Sequence, residues 1–294
     1  MADLMHATDT KRPPSEGFVF AVSGAAYVPL ALRAAESLRL HHPDHPIDLF
    51  CDQPVTAEIF TQVIPLENSW FRPKFEAMQR SRFDRTILLD ADVLCIAPMN
   101  DVFSVLDRFD LAAAHEPRRN SKVAVSNLAE PLPAAFPQLN TGVLAFCKDP
   151  RVSALAERVV TTLQTSGLDR DQPVFRACVY ESDLRLWVLP DEYNFMTIEL
   201  LEAYTEQFAA PRILHLPRLH RHVETINRKR KFSRIKTILG PPVYHQLEAL
   251  LAADRTLGGS GAEVKPLIRR GLPGLARALS RGLSKRLNQW ISRD

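Results

Sequence analysis

The sequence predicts an α/β fold, a sheet with helices on both faces, because segments typical of strands and helices alternate along most of the 294 residues. One apolar run, residues 86–89, shows no polar alternation, as expected of a strand covered on both faces. Hydrophobic residues make up 46% of the chain and charged residues 24%, which excludes a disordered or fibrous protein. A length of 294 residues allows one large domain or two small ones.

The first half of the predicted order is strand, helix, strand, helix, strand. Five apolar residues predict a strand over residues 18–22, and Ser23-Gly24 ends it as a turn. Apolar residues three and four apart predict a helix over residues 27–40, and a second strand follows over 47–51. A helix over residues 73–83 begins at a proline and places Phe75 and Met78 on one face, and it leads into the strand 86–89.

The second half continues the alternation and then becomes helical. Further strands are predicted over residues 111–114, 142–146, 184–189 and 212–216, and further helices over about 152–163 and 171–179. Beyond residue 223 the pattern is helical, interrupted by a Gly-rich stretch at 257–261. We therefore divide the chain into a polar tail (1–16), a catalytic-sized domain (17–223), a helical basic extension (224–256), and a linker with a C-terminal helix (257–294).

Charge is distributed unevenly along the chain. Residues 218–236 contain eight Lys or Arg and one Glu, and residues 265–294 contain eight Lys or Arg and one Asp, so each segment carries +7. The total charge is +3, so the rest of the chain carries −11. The two basic segments predict anionic partners.

Cysteines and the N-terminal segment indicate the compartment. The four cysteines are far apart and form no Cys-x-x-Cys pair, which argues against a zinc site or a disulfide scaffold and favours a reducing compartment. The apolar stretch 17–32 is interrupted by Ser23, Gly24 and Pro29 and is too short to span a bilayer. The sequence predicts a cytoplasmic protein.

Two carboxylates follow the predicted strand 86–89 directly. Asp90 and Asp92 stand two residues apart, so both can face the crevice at the carboxyl end of the sheet, where ligands gather in α/β folds. Hard oxygen ligands of this kind suit Mg²⁺ or Mn²⁺. An isolated Asp-x-Asp also occurs as a solvated turn or a helix cap, so the motif needs support from the rest of the chain.

Five segments in order, within a span from about residue 18 to about residue 223, resemble the GT-A glycosyltransferases, closest to family 8, the glycogenin-like enzymes. The segments are Lys74-Phe75-Glu76-Ala77-Met78, Asp90-Ala91-Asp92, Leu139-Asn140-Thr141-Gly142-Val143, Asp171-Gln172 and Ile213-Leu214-His215. The resemblance implies a GT-A-like, Rossmann-type mixed sheet with helices on both faces, here with a helical C-terminal extension.

The resemblance also implies residue roles. Asp90, Asp92 and His215 would hold Mn²⁺ or Mg²⁺ at the diphosphate of a sugar nucleotide, most simply a UDP-sugar, and Lys74 would contact this donor. Asn140 would reach the donor sugar, and Asp171 and Gln172 would lie beside the reacting carbon. Under this resemblance Asp171, Gln172 and Asn140 would be the catalytic residues, and Asp90, Asp92 and His215 would be the metal ligands.

Three further residues occupy places where relatives contact the donor. Tyr27 would stack on the nucleobase, and Glu116 stands where relatives carry Asp near the sugar. After His215 the family usually continues His-x-x-Gly-x-x-Lys-Pro-Trp, but this chain has Arg218 at the glycine place. Arg221 falls at the lysine offset, where its planar fork could hold a phosphate.

Each of these residues also has an ordinary structural interpretation. Lys74 could be an exposed helix lysine, Asn140 a turn cap, and Gln172 part of a solvated helix face. Tyr27 could be a packing residue at a helix start. His215 could be a core histidine at a strand end, with His220 or His222 as the third ligand instead.

The function implied is that of a metal-dependent glycosyltransferase of the hexosyltransferase type, which moves a sugar from a nucleoside diphosphate to a glycan or lipid-linked acceptor with retention at the anomeric carbon. A sugar nucleotidyltransferase is an alternative, but the N-terminal region has no Gly-rich phosphate loop. A non-catalytic protein that binds anionic lipid or nucleic acid is a second alternative. Nucleic acid is disfavoured because the basic segments do not interleave aromatic residues.

The last segment predicts a basic amphipathic helix. From Leu275 to Ile291, leucines and Trp290 fall on one helical face, and Arg277, Arg281 and Lys285 fall on another. Helices of this kind lie in a membrane surface. The segment therefore predicts a peripheral protein on the inner face of the cell membrane, with packing of the helix on the protein body as the alternative.

Overall fold

The structure is a computed structural model, and it describes residues 15–68, 72–222 and 235–267. The strands are β1 Glu16–Val22, β2 Ile47–Cys51, β3 Gln62–Pro65, β4 Arg85–Leu89, β5 Val93–Cys95, β6 Leu111–His115, β7 Leu139–Cys147, β8 Leu186–Leu189 and β9 Ile213–His215. The helices are α1 Val28–Arg39, α2 Lys74–Arg80, α3 Asp101–Val105, α4 Pro150–Ser166, α5 Asp171–Tyr180, α6 Ile235–Leu239 and α7 Pro241–Ala253.

Two sheets form in the described part of the chain. The main sheet has the strand order β3-β2-β1-β4-β7-β6-β8, and a small sheet pairs β5 with β9. In the main sheet β1 is parallel to β2 and β4, whereas β7 is antiparallel to both β4 and β6. The sheet is therefore mixed, as predicted.

Residues that alternate along each central strand enter different apolar layers. In β1, Phe18 and Phe20 join the layer that contains Leu30 of α1, and Val19 joins the layer that contains Phe75 of α2. All four of these side chains in β1 and α1 are fully buried. Helices thus cover both faces of the sheet, α1 and α7 on one side and α2, α4 and α5 on the other, and the α/β prediction is confirmed.

Most elements lie where the sequence predicts them. Strand β2 has the predicted bounds, and α4 begins at a proline after an Asp149 cap and ends before Gly167, whose φ of 66° is left-handed. Strand β8 begins two residues later than predicted, and β7 begins three residues earlier. Three short elements, β3, β5 and α3, were not predicted, because segments of three to five residues are too short to show periodicity.

The end of the described chain folds back on the protein. Helix α7 contributes Leu247 and Leu250 to the same apolar layer as α1. After it, the backbone amides of Ser260 and Gly261 donate to the carbonyls of residues 252 and 253, at 3.0 and 2.9 Å. None of the helices in the described ranges is long and apolar enough to cross a membrane. The predicted amphipathic helix lies in residues 268–294, outside the described residues, and the domain division at 223 and 256 stays a prediction.

Candidate active site

The two sheets together bring the predicted metal ligands to one place. Asp90 and Asp92 follow β4 directly, and the amide of Asp90 donates to the carbonyl of Gly142 in the neighbouring strand β7 at 2.9 Å. Strand β5 then pairs with β9, with Val93 opposite His215. His215 is therefore held beside Asp92 although 123 positions separate them in the chain.

Asp90, Asp92 and His215 form a compact group of candidate metal ligands, called the metal cluster below. One ligand atom from each residue lies within 4.8 Å of the others. His215 Nε2 is 3.2 Å from Asp92 Oδ1, and His220 Nε2 is 2.9 Å from Asp92 Oδ2. Asp92 Oδ1 is buried, and its contact with His215 is an ion pair rather than a well-aligned hydrogen bond. Two carboxylates and an imidazole in this arrangement form a possible site for a divalent metal ion.

Protonation within the cluster is set by the contact between Asp92 and two histidines. Burial would raise the pKa of Asp92, but His215 and His220 outweigh it and hold that pKa well below its usual range. Burial would lower the pKa of His215, but the Asp92 carboxylate raises it above the ordinary value. The hydrogen bond with Asp92 likewise raises the pKa of His220. Asp92 is thus anionic near neutral pH, and a divalent cation would compete with the proton on the imidazole.

Asn194 orients His215, and the sequence analysis did not identify it. Asn194 Oδ1 lies 2.8 Å from His215 Nδ1, and Asn194 Nδ2 donates to Asn140 Oδ1 at 2.9 Å. The amide oxygen therefore accepts a hydrogen bond from Nδ1–H of His215, which leaves Nε2 to face Asp92. Asn194 is 3% exposed and ends the short 3₁₀ turn Asp191–Asn194 that follows β8. A polar residue just after a strand was the signal that could have identified it.

Gly142 is required by the approach of the His215 ring. A Cβ atom at position 142 would lie 2.3 Å from Cε1 and 2.5 Å from Nδ1 of His215. Contacts between carbon atoms are ordinarily about 3.5–4.0 Å. The glycine of the Asn140-Thr141-Gly142 segment therefore leaves space for the imidazole.

Lys74 connects the metal cluster to Asp171. Its ammonium lies 2.6 Å from Asp90 Oδ1 and 3.9 Å from Asp171 Oδ2, and it donates to the carbonyl of Thr141 at 3.1 Å. Burial would lower the pKa of Lys74, but Asp90 and Asp171 outweigh it and raise that pKa. Burial would likewise raise the pKa of Asp171, but Lys74 and Arg72 keep it below the usual value. Lys74 is therefore a charged cation whose side chain is only 12% exposed, and not an exposed helix lysine.

A second hydrogen-bonded group lies beside the metal cluster. Asn140 Nδ2 donates to Glu116 Oε2 at 2.9 Å, and Gln172 Nε2 lies 3.4 Å from the same oxygen. Asn140 Oδ1 accepts from the amide of Gly142 at 2.9 Å, but both residues lie within β7, so Asn140 does not cap a turn. Glu116 and Asn140 are buried. The structure thus brings Glu116, Asn140 and Gln172 to the cavity that contains the metal cluster.

Two adjoining cavities meet at Lys74 and Asp90. The larger, about 520 Å³, is lined by the metal cluster and by Glu116, Asn140, Asp171 and Gln172 among others. The smaller, about 410 Å³, is lined by Tyr27, Ser23 and Ala21 and shares Arg72, Lys74, Asp90 and His220 with the larger. Tyr27 is 40% exposed, and its ring lies 5.4 Å from that of His220. The side chains of Arg221 and His222 lie outside what the structure describes.

The fold is similar to those of solved glycosyltransferase structures. The glycosyltransferase GlyE of Streptococcus pneumoniae TIGR4 is 19% identical over 68% of this chain, with a TM-score of 0.51, and its apo form gives 0.52. The alignments cover 55% and 54% of those chains, so this chain spans about half the length of GlyE. A structure of the galactosyltransferase LgtC with donor and acceptor sugar analogs covers 80% of this chain and 96% of its own, at 13% identity and a TM-score of 0.49.

The likeness to GlyE shows that the chain has a GT-A-like glycosyltransferase fold, as the sequence predicts. No family model and no curated protein matches the chain. A fold does not by itself determine the chemistry of a site, which depends on the residues of the site.

Proposed function

We propose that this chain is a metal-dependent glycosyltransferase that moves a hexose from a nucleoside diphosphate sugar to a glycan or lipid-linked acceptor. One observation carries the proposal. Within a GT-A-like fold, the cluster of Asp90, Asp92 and His215 shares a cavity with Lys74 and with the hydrogen-bonded group around Asn140. Transfer from a sugar nucleotide requires three kinds of group: carboxylates that bind a metal ion, a positive side chain that contacts the phosphates, and polar side chains that contact the sugar.

The metal would be Mn²⁺ or Mg²⁺, held by Asp90, Asp92 and His215. When bound, it would act as a Lewis acid that neutralises charge on the diphosphate leaving group. Asn194 would keep Nε2 of His215 directed at it. Asp92 Oδ1 is buried and faces His215 Nε2 at 3.2 Å, so a cation there would replace the imidazole proton as the counter-charge of this carboxylate.

Lys74 would stabilise the departing diphosphate directly. Its ammonium is already held at the boundary of the two cavities by Asp90 and Thr141, so little reorganisation is needed when negative charge develops there. The smaller cavity would hold the nucleoside, with Tyr27 against the base, and the larger would hold the sugar. We propose a UDP-sugar as donor, with Arg221 as a further phosphate contact.

We propose that transfer proceeds with retention. An inverting transfer needs a carboxylate or another base free to take the proton of the acceptor hydroxyl. The cavity carboxylates outside the metal cluster, Asp171 and Glu116, both have partners among the described residues. Asp171 accepts from Thr141 and pairs with Lys74, and Glu116 accepts from Asn140. These contacts suit groups that orient a sugar more than a free base.

The test is hydrolysis of sugar nucleotides with and without Mn²⁺. Wild-type protein should hydrolyse a UDP-hexose slowly in the presence of Mn²⁺, and EDTA should abolish this activity. Asp92→Asn should lose it with the fold retained, because a neutral amide is a poor substitute for an anionic ligand. Asp44→Asn removes an exposed carboxylate outside the cavity and is the matched control. Binding of the nucleotide without turnover in any condition would favour a non-catalytic binding protein.

A further inference from the structure

Two arginines line the larger cavity beside the group that would contact the sugar. Arg118 follows Glu116 by two positions in the loop after β6, and Arg170 precedes Gln172 by two positions at the start of α5. Glu116 and Gln172 contact each other at 3.4 Å, so the two arginines lie on segments that converge at this contact. Both arginines are exposed and both line the larger cavity.

The guanidinium groups of Arg118 and Arg170 form no ion pair in the described part of the chain. Neither side chain makes a hydrogen bond or an ion pair with a described residue, although the backbone amide of Arg118 contacts Glu116. The buried cation of the same cavity is different, because Lys74 is paired with Asp90 and Asp171. The positive charge of the two arginines is therefore available to a bound molecule.

The arginines also lie away from the nucleotide side of the site. The smaller cavity shares Lys74 and Asp90 with the larger, but its lining contains neither Arg118 nor Arg170. The diphosphate would be held where the two cavities meet, at Lys74 and the metal cluster. An anion bound by Arg118 and Arg170 would accordingly lie in the part of the larger cavity that the smaller cavity does not share, and would be a different group from the diphosphate.

We propose that Arg118 and Arg170 form an acceptor subsite that binds an anionic group, a phosphate or a carboxylate, on the acceptor. The proposal rests on the proposed function, and it names the acceptor class as an anionic saccharide. Guanidinium groups bind phosphate and carboxylate through two parallel hydrogen bonds, which would also fix the orientation of the acceptor hydroxyl. The selectivity should weaken with added salt, because both side chains are exposed.

Calorimetry on the full chain, loaded with Mn²⁺ and UDP, tests the subsite with glucose, glucose 6-phosphate and glucuronate as probes. We expect wild-type protein to bind glucose 6-phosphate or glucuronate at least tenfold more tightly than glucose. The double variant Arg118→Ala/Arg170→Ala should lose this preference. Arg108→Ala, an exposed arginine after α3 that does not line the cavity, should keep it. No preference in wild type, or a preference that survives the double variant, overturns the proposal.

A second experiment tests whether the anionic group that the two arginines bind belongs to the acceptor or to the donor sugar. Hydrolysis of UDP-glucose and of UDP-glucuronate should respond equally to the double variant if the subsite belongs to the acceptor. A selective loss of UDP-glucuronate hydrolysis would place the anion on the donor sugar and overturn the acceptor assignment. If wild-type protein hydrolyses no sugar nucleotide, the proposed function fails as well, whereas normal hydrolysis without acceptor preference rejects only this subsite.

Discussion

Replacement of Gly142 by alanine tests whether close packing of His215 sets the geometry of the metal cluster. The new Cβ would lie 2.3 Å from His215 Cε1, so the ring must move by about 1 Å to reach ordinary contact distance. The ring is 5% exposed and has little space to move, and its 2.8 Å bond to Asn194 would be broken. Gly142 does not have a positive φ, so alanine adds no backbone strain.

The expected cost follows from this single clash. Overpacking of a buried site typically destabilises a protein by about 1–3 kcal/mol. Replacing glycine also lowers the backbone entropy of the unfolded chain, which stabilises the folded state by about 0.4–1 kcal/mol. Gly142→Ala should therefore lower the free energy of unfolding by about 1–2 kcal/mol. It should also weaken Mn²⁺ binding by at least about tenfold, because ligands must be held within a few tenths of an ångström.

A double-mutant cycle with His215→Ala isolates the clash. Urea unfolding would be measured for wild type, both single variants and the double variant. In the His215→Ala background, Gly142→Ala should be close to neutral, which gives a coupling free energy of at least about 1 kcal/mol. Costs that add within about 0.5 kcal/mol would show that the substitution acts through something other than the imidazole, and the packing argument would be wrong.

Three further predictions concern the orientation of His215, the support of strand β9, and the C-terminal segment. Asn194→Ala should weaken Mn²⁺ binding by about 10–100-fold in calorimetry and steepen its loss on acidification, because the tautomer of His215 is no longer fixed. Asp254→Ala should cost about 3–5 kcal/mol in urea unfolding, because it leaves the buried guanidinium of Arg212 unpaired, 2.9 Å from the lost carboxylate. Burial opposes the charged form of Asp254, yet hydrogen bonds keep its pKa below the ordinary value. Wild-type protein should therefore lose this stabilisation as the pH falls below about 4. If Asp254→Ala showed the same dependence of stability on acid pH as wild type, this prediction would be contradicted. Deletion after Ala262 should retain donor hydrolysis but abolish sedimentation with anionic vesicles at low salt; equal sedimentation of both proteins would reject membrane binding.

The central strands and the positions of the two candidate ligands Asp90 and Asp92 at the end of β4 could be predicted from the sequence because their signals are local. The apolar run that became β4 has no polar alternation, since both of its faces are covered, and Asp90 and Asp92 follow it directly. Lys74 was identified only through a family resemblance. Its spacing to Asp90 does not reveal that α2 directs its ammonium to within 2.6 Å of that carboxylate.

Asn194 and the small sheet could not be predicted for a physical reason. Strands β5 and β9 have three residues each, and their stability depends on pairing across more than a hundred positions of sequence. Asparagine is common in turns, so the residue type at position 194 indicates only a turn. The role of Asn194 depends on its contact with His215, 21 positions away. No local sequence pattern indicates a contact between residues so far apart in the chain.

The sequence by itself determined the alternation of strands and helices, the burial of the central strands and the nature of the candidate ligands, because hydrophobic periodicity and side-chain chemistry are properties of short segments. Only the tertiary structure decided that His215 completes the cluster with Asp90 and Asp92, that Asn194 orients it, and that Gly142 makes room for it. Those decisions depend on distances of 2–5 Å between residues distant in the chain. Such distances are fixed by strand pairing and core packing between segments that are remote in the sequence.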